Sequence, residues 1–264
     1  ANDIDTYTNN GNIANAGEVE LTGGTNKNEI TGLGELTIAA NANVVNEAII
    51  TQSTVTINSG ARLETNASSV TATRGIENAG ELIFKANSEM INGNVIRGVG
   101  NVIGNLTISG DLTNNADITQ QNVTIASGTF TNNAIVEATG TFTNNGTVNN
   151  SSSIISNEII NAANAAVTNN AVIESTRISN SGNITNADGG TITAYNGIAN
   201  EGTITSNGDG IKASIMNEGV YNVTGGTVSY SVSGTSADNG TVNILGEVEV
   251  GSGTTIGDNS VVIR

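Results

Sequence analysis

Two pairs of glutamates are spaced so that both carboxylates of a pair would project from one face of a β-strand. Glu18 and Glu20 are separated by one residue, as are Glu247 and Glu249. Side chains at positions i and i+2 of a strand lie about 7 Å apart on the same side. Glycosidases use carboxylate pairs at comparable separations. A polysaccharide hydrolase or lyase is therefore one function to weigh.

The residues around these glutamates favour a solvated strand face over a catalytic pair. Val19 separates the first pair and Val248 the second, which is the alternation of a half-buried strand. The chain has no His, which excludes the usual Ser and Cys triads and the HExxH zinc motif. Asp188 and Asp209 precede glycines as turn residues do, without the tandem GGxGxD repeat of calcium-binding solenoids. We therefore predict a protein that is not an enzyme, with no cofactor and no metal site.

The strongest pattern in the chain is a repeated seven-residue phrase. An apolar residue, any residue and Asn are followed by Asn, Ser, Glu or Ala, then by Gly or Ala, any residue and a second apolar residue. Asn tolerates positive φ better than other non-Gly residues and Gly adopts it freely, so each copy predicts a strand, a corner and a second strand. Self-similarity of this kind is the signature of a solenoid. The predicted structural corners are Asn9, Asn78, Asn114, Asn132, Asn144, Asn157, Asn169, Asn180, Asn200 and Asn217.

Stacking of successive turns gives these asparagines a structural role. When one Asn lies above another, each side-chain amide can donate to the carbonyl oxygen of the next, as in cross-β assemblies. Ile and Val recur at matching positions of the phrase, which predicts apolar ladders inside the solenoid. Because repeated motif residues usually hold a solenoid together, we expect an Asn ladder in preference to a ligand site.

The spacing of the corners predicts the size of a turn. From Asn132 through Asn144, Asn157, Asn169 and Asn180 the steps are about 12 residues, whereas Asn114 to Asn132 is roughly 20. A three-sided coil of about 18 to 24 residues with one or two marked corners would produce both spacings, and a flatter two-sided coil is the alternative. The sequence thus predicts an all-β fold, a three-sided parallel β-helix or β-solenoid. No linker interrupts the pattern, so residues 1–264 are predicted to form a single elongated domain.

Charge and composition limit the partners. The 24 acidic and 8 basic residues give a formal net charge of −16, and the basic residues are scattered, so neither nucleic acid nor an anionic membrane is an expected partner. The absence of Cys excludes disulfides and thiol chemistry. No apolar stretch approaches the roughly 18 residues of a membrane span, and we expect no membrane insertion of this chain.

The phrases Phe142-Thr-Asn-Asn-Gly-Thr-Val148, Ile198-Ala-Asn-Glu-Gly-Thr-Ile204 and Val55-Thr-Ile-Asn-Ser-Gly-Ala-Arg-Leu63 carry a family resemblance. They resemble the repeats of β-helical bacterial surface proteins, namely autotransporter passenger domains and filamentous-haemagglutinin-like exoproteins of two-partner secretion. The resemblance is one of repeat style and composition over most of the chain. It implies a right-handed parallel β-helix, secretion to the bacterial cell surface, and an adhesive or structural role. Of these two roles we favour an adhesin or passenger that contacts a glycan or protein of a host or neighbouring cell. Both a passenger fragment and a complete secreted protein fit it.

Two further functions stay open. A terminal coil presents unpaired backbone groups, so rods of this kind could join end to end into an extracellular fibre or coat. The irregular stretches Gly23 to Gly34 and Gly93 to Gly104 would suit an adhesin with binding loops. Thr-x-Thr pairs, such as Thr129/Thr131 and Thr203/Thr205, could form an ice-binding face. These pairs do not recur at one spacing, which favours ordinary strand-surface threonines.

Overall fold

The structure is a computed structural model that describes residues 8–66, 70–84, 90–92, 96–97, 105–235 and 240–264. These residues form short β-strands and one 3-10 turn, Gly208–Gly210. They fall into two compact units, residues 1–139 and 140–264. In the described parts of the chain no helix has the length and apolar character needed to span a membrane.

In the first unit most strands pair in parallel with the strand three places further along the chain. β1 pairs with β4, β2 with β5 and β3 with β6, so the chain returns to a parallel neighbour every third strand. The strands are β1 Thr8–Asn9, β2 Ile13–Ala14, β3 Glu18–Leu21, β4 Gly24–Asn26, β5 Ile30–Thr31, β6 Glu35–Ile38, β7 Asn43–Asn46, β8 Ile50–Gln52, β9 Thr54–Ile57, β10 Arg62–Thr65, β11 Val70–Ala72, β12 Ile76–Asn78, β13 Glu81–Phe84, β14 Met90–Asn92, β15 Ile96–Arg97, β16 Asn105–Ile108, β17 Leu112–Asn114, β18 Ile118–Gln120, β19 Asn122–Ile125 and β20 Thr129–Asn132. β21, Val136–Asn144, contains the boundary between the units.

The second unit repeats this parallel pairing with longer strands at its start. β23 and β25 pair through two successive segments, because Ile154 pairs with Ile173 and Ile159 pairs with Ile178. The strands are β22 Thr147–Asn150, β23 Ser153–Asn161, β24 Ala166–Asn169, β25 Val172–Asn180, β26 Asn183–Asn186, β27 Thr191–Ala194, β28 Ile198–Asn200, β29 Thr203–Ser206, β30 Ile211–Lys212, β31 Ile215–Asn217, β32 Val220–Val223, β33 Gly226–Val228, β34 Val232–Ser233, β35 Thr241–Ile244, β36 Val248–Val250, β37 Ile256–Gly257 and β38 Ser260–Ile263.

Alternation along the strands sends every second side chain into the coil. Strands such as β9, β16 and β27 have the pattern half-buried, buried, half-buried, buried. The parallel register then stacks the inward residues of successive turns, for example Ile184 on Ile204 and Ile204 on Tyr221. The core is therefore a set of aliphatic ladders with single aromatic rungs, and no thick centre is needed to bury apolar surface.

The prediction of an all-β parallel β-solenoid is confirmed, with about 12 turns and almost no helix over the described residues. The register also gives the length of a turn, because Thr8 pairs with Thr25, 17 residues on, and Glu81 pairs with Asn105, 24 residues on. The three-sided cross-section, the right hand and the single-domain organisation stay predictions. Much of the stretch from Gly93 to Gly104 lies outside the described residues.

Candidate functional site: asparagine ladders and an uncharged outer face

A ladder of buried asparagines runs through the second unit. Asn144 Nδ2 donates to Asn161 Oδ1 at 2.9 Å, and Asn161 donates in the same way to Asn180 at 2.7 Å. The series continues from Asn180 to Asn200 at 2.7 Å and from Asn200 to Asn217 at 2.6 Å. All five side chains are almost fully buried. The prediction of stacked Asn hydrogen bonds is confirmed.

Four of these five amides, those of Asn144, Asn180, Asn200 and Asn217, also bond within the corner in which they lie. Asn144 Oδ1 accepts a hydrogen bond from the backbone N–H of Gly146, two residues on, at 3.0 Å. Asn144 Nδ2 additionally donates to the backbone oxygen of Ala166 in the next turn at 3.0 Å. The amide thus donates two hydrogen bonds and accepts one, whereas a hydroxyl has a single proton to donate and an ionised carboxylate has none. This explains the Asn of the repeated phrase and the position of its Gly or Ala.

Further ladders of the same type occupy other corners. In the second unit, Asn150 donates to Asn169 at 2.8 Å and Asn169 to Asn186 at 2.7 Å. Asn186 then donates to the Ser206 hydroxyl at 3.1 Å, where the ladder changes residue type. In the first unit, Asn9 donates to Asn26 and Asn26 to Asn46, both at 2.7 Å, and Asn114 donates to Asn132 at 2.8 Å.

The structure distinguishes Asn157 from the other predicted corners. Its side chain is exposed, and Ser156 takes the inward position, where its hydroxyl donates to the backbone oxygen of Glu158 at 2.7 Å. Asn78 is buried and donates to Gln120 Oε1 at 2.8 Å, two turns away. The predicted corners leave out five ladder residues, Asn26, Asn46, Asn150, Asn161 and Asn186. Asn46 carries the full phrase, from Val44 to Ile50, and Asn161 departs from it only in ending on Ala165. Asn150 and Asn186 carry only an apolar residue, any residue and Asn, whereas Asn26 follows Gly24 in place of an apolar residue.

Glycine follows the ladder asparagines where turns stack most closely. A Cβ placed on Gly202 would lie 2.0 Å from the backbone oxygen of Gly182, and one on Gly219 would lie 2.1 Å from that of Gly202. These glycines are therefore required by close approach between backbones, and positive φ is not the reason.

The candidate carboxylate pairs lie on the solvent side of their strands. Glu18 and Glu20 are exposed on β3, and Glu247 and Glu249 are exposed at β36. Glu18 pairs in register with Glu35, so two acidic side chains are neighbours on adjacent strands. Among the described residues no group of three or more Asp, Glu, His or Cys side chains is arranged to hold a metal ion. Asp209 lies in the 3-10 turn, and its backbone N–H donates to Asn207 Oδ1 at 3.0 Å, as expected of a turn residue.

One outer face of the second unit carries no charge. It consists of the solvent-facing side chains of six successive parallel strands, β22, β24, β26, β29, β32 and β35, and we call it the Thr/Asn face. Almost all of its residues are Thr or Asn, in a chain whose net charge is −16. One rank consists of Thr147, Ala166, Asn183, Thr203, Val220 and Thr241, and the second of Asn149, Thr168, Thr185, Thr205, Asn222 and Asn243.

The fold and the ladders define the class of protein as a parallel β-solenoid held by buried asparagine ladders. No family model, curated protein or solved structure matches this chain. Any assignment of function therefore rests on the sequence and the structure alone.

Proposed function

We propose that this protein is a non-enzymatic extracellular protein of the adhesin or passenger type, which binds the surface of a host or neighbouring cell. The observation that carries the proposal is the Thr/Asn face. A surface of this size without charge is unusual on an acidic chain, where charge would otherwise favour solubility. The buried amides are occupied with holding the turns together, so the solvent-facing side chains are the ones free to contact a partner.

An adhesion assay tests the proposal. Fluorescent beads coated with the protein are expected to adhere to bacterial or epithelial cells above the level of uncoated beads. Thr185→Glu introduces a charge at the centre of the Thr/Asn face and should reduce adhesion. Ser179→Glu, on another outer face, lies between Ile160 and Ala199 and serves as the matched control. Adhesion equal to that of uncoated beads contradicts the proposal.

The absence of catalysis is part of this proposal, and the glutamate pairs test it. Glu18 and Glu20 lie exposed on a strand and alternate with inward-facing apolar residues, which supports a role in solvation. Replacing both by Gln should leave every measurable property essentially unchanged, because solvated carboxylates contribute little energy. Cleavage of a polysaccharide that disappears in this double variant would assign the protein to the hydrolases or lyases.

End-to-end assembly into a fibre is a second candidate, supported by a different observation. Val261 pairs with Val242, yet Val261 is 50% exposed and Val242 is fully buried. Val250 is 51% exposed, whereas its partner Val228 is 4% exposed. Val261 and Val250 thus stack on core residues, and a further parallel turn, from the same chain or from another copy, would bury them.

Electron microscopy at rising protein concentration separates the two candidates. If copies of the 264-residue chain stack through these positions, filaments should lengthen with concentration. Val261→Lys should abolish them, whereas Val262→Lys, one residue on, alternates to the opposite side of the strand and should have a smaller effect. A protein that stays dispersed at every concentration contradicts the fibre.

A further inference from the structure

We infer that the Thr/Asn face is a binding site for a neutral, hydroxyl-rich polysaccharide chain. This inference rests on the proposed adhesin function and names the class of its ligand. The face is a regular array, because each rank continues from strand to strand in an unbroken register from β22 to β35. Five strand separations give the array a length of roughly 24 Å, with ranks about 7 Å apart.

The side chains of this face have hydrogen-bonding capacity that the protein does not use. Thr168 and Thr185 are directly paired in register, and neither hydroxyl bonds to another group within the described part of the chain. This differs from the inner side of the same strands, where Asn169 bonds to Asn186 and to backbone oxygens. Thr hydroxyls donate and accept at once, which suits a ligand whose own groups are hydroxyls.

A polar series at one end of the face fixes the orientation of its amides. Asn243 Nδ2 donates to Asn222 Oδ1 at 2.8 Å, and Asn222 Nδ2 donates to Thr205 Oγ1 at 3.0 Å. These bonds hold the outer amides in place before a ligand arrives, which lowers the entropic cost of binding. The Thr205 hydroxyl keeps its proton available as a donor.

Charge around the face selects against ionised ligands. Glu201 and Glu218 lie two residues before β29 and β32, and Asp188 lies two residues after β26. These carboxylates flank an uncharged surface, so an anionic chain would be repelled at the edges and would find no cation on the face. A cationic ligand would be drawn to the edges and away from the face. A neutral chain meets neither penalty.

The repeat of the face also matches the repeat of the proposed ligand. Successive turns are separated by about 4.8 Å, which is close to the length that one pyranose ring occupies in an extended chain. A polysaccharide lying across the strands could therefore place one sugar on each turn and repeat the same contacts. Weak single contacts would then add along the chain, as in multivalent binding.

Calorimetric titration of the intact chain tests this inference. The probes are cellohexaose, laminarihexaose and mannohexaose as neutral chains and a hexagalacturonate as an anionic one. At least one neutral probe should bind, and the anionic probe should not. The double variant Thr168→Val and Thr185→Val keeps the shape and strand preference of both residues while removing both hydroxyls. It should weaken binding roughly tenfold.

A matched control is present on a different sheet of the same unit. Thr191 and Thr193 on β27 are outward-facing threonines as well, both half-buried, and their replacement by Val should leave binding unchanged. Denaturant midpoints of both double variants show whether the fold is intact. Equal losses in the two variants, binding of only the anionic probe, or no binding of any hexasaccharide overturns the inference.

Two other occupants of the face are distinguished by separate measurements. Sedimentation velocity that shows a dimer abolished by Thr185→Glu would assign the face to a second copy of the chain and overturn the polysaccharide. If the protein shapes ice crystals and the Thr168→Val, Thr185→Val double variant does not, the face binds ice and the polysaccharide inference is overturned. If coated beads adhere to cells while every hexasaccharide fails to bind, the adhesin proposal stands and this inference is wrong.

Discussion

The side-chain Nδ2 of Asn15 donates a hydrogen bond of 2.6 Å to Oε1 of Gln52, which lies 37 residues further along the chain. Ala14 pairs with Thr31 and Thr31 with Thr51, so Gly32 occupies the turn between the two amides. A Cβ on Gly32 would lie 2.0 Å from the backbone oxygen of Asn15. Gly32 has no side chain to place in the ladder, and the longer Gln52 side chain reaches across its turn to Asn15.

The same device recurs at Asn78 and Gln120, which are 42 residues apart. In both cases the Gln Nε2 donates to the backbone oxygen of the preceding residue, Thr51 or Thr119, at 2.7 Å. The tripeptide Ile-Thr-Gln at both positions is therefore a sequence signal for the end of a two-turn bridge.

Shortening the bridging side chain should destabilise the first unit. Gln52→Asn retains an amide but loses one methylene, so the Asn15 Nδ2 proton that binds Gln52 loses its acceptor while the other stays on the Glu35 backbone oxygen, at a cost of about 1 to 3 kcal/mol. Gln121→Asn is the control, because Gln121 is exposed and should change the free energy of unfolding by less than about 0.5 kcal/mol. Urea midpoints of the two variants make the comparison. Equal midpoints would contradict the bridge.

Removing the donor from one ladder position should be more costly. Asn161→Asp sets a carboxylate oxygen against Asn180 Oδ1 in a site with no solvent access, and we expect a loss on the order of 3 kcal/mol. Burial raises the pKa of such a carboxyl, so stability is retained below its unfolded pKa and lost as pH rises through the folded value. The loss should therefore be smaller near pH 4, where a protonated carboxyl can donate.

Asn157→Asp is the control for that substitution. Asn157 is exposed, so the variant should unfold at nearly the wild-type denaturant concentration at every pH. An Asn157 variant as unstable as the Asn161 variant would show that the ladder does not determine the sensitivity of these positions.

Stacked glycines provide a third prediction. Gly202→Ala places a Cβ 2.0 Å from the Gly182 oxygen, which forces the turns apart and should cost about 1 to 3 kcal/mol. Gly17→Ala meets nothing within 4 Å and should be neutral or slightly stabilising. Thermal midpoints of the two variants test the difference, and similar midpoints would exclude backbone approach as the cause.

The buried Tyr221 should make the protein sensitive to alkali. Burial raises the pKa of the Tyr221 phenol well above its ordinary value of 10.0. Above pH 10 the unfolded state loses this proton while the folded state keeps it, so stability should fall by up to about 1.4 kcal/mol per pH unit. Tyr221→Phe removes this contribution, whereas Tyr230→Phe, at an exposed position, should keep it. Denaturant midpoints between pH 8 and pH 11 measure the slopes, and identical slopes in the two variants contradict the assignment.

The sequence by itself determined the class of the fold and the role of asparagine. The phrase around Asn144, with Phe142 and Val148 on either side, predicts two inward apolar residues separated by a polar corner. This prediction needs only local information, because strand alternation and turn residues are properties of neighbouring positions in the chain. The ladder follows because corresponding corners of successive turns lie one above another, which brings their Asn side chains within hydrogen-bond distance.

Only the tertiary structure decided which asparagine enters the ladder. Ile154 and Ile155 are adjacent, so alternation allows either one to face inward, and with it either Ser156 or Asn157. Pairing of Ile154 with Ile173 selects Ser156, because a shift of one residue would move every side chain of the strand to the opposite face. The Thr/Asn face has the same origin, since its residues are spaced irregularly along the chain and become an array only through the register of neighbouring turns.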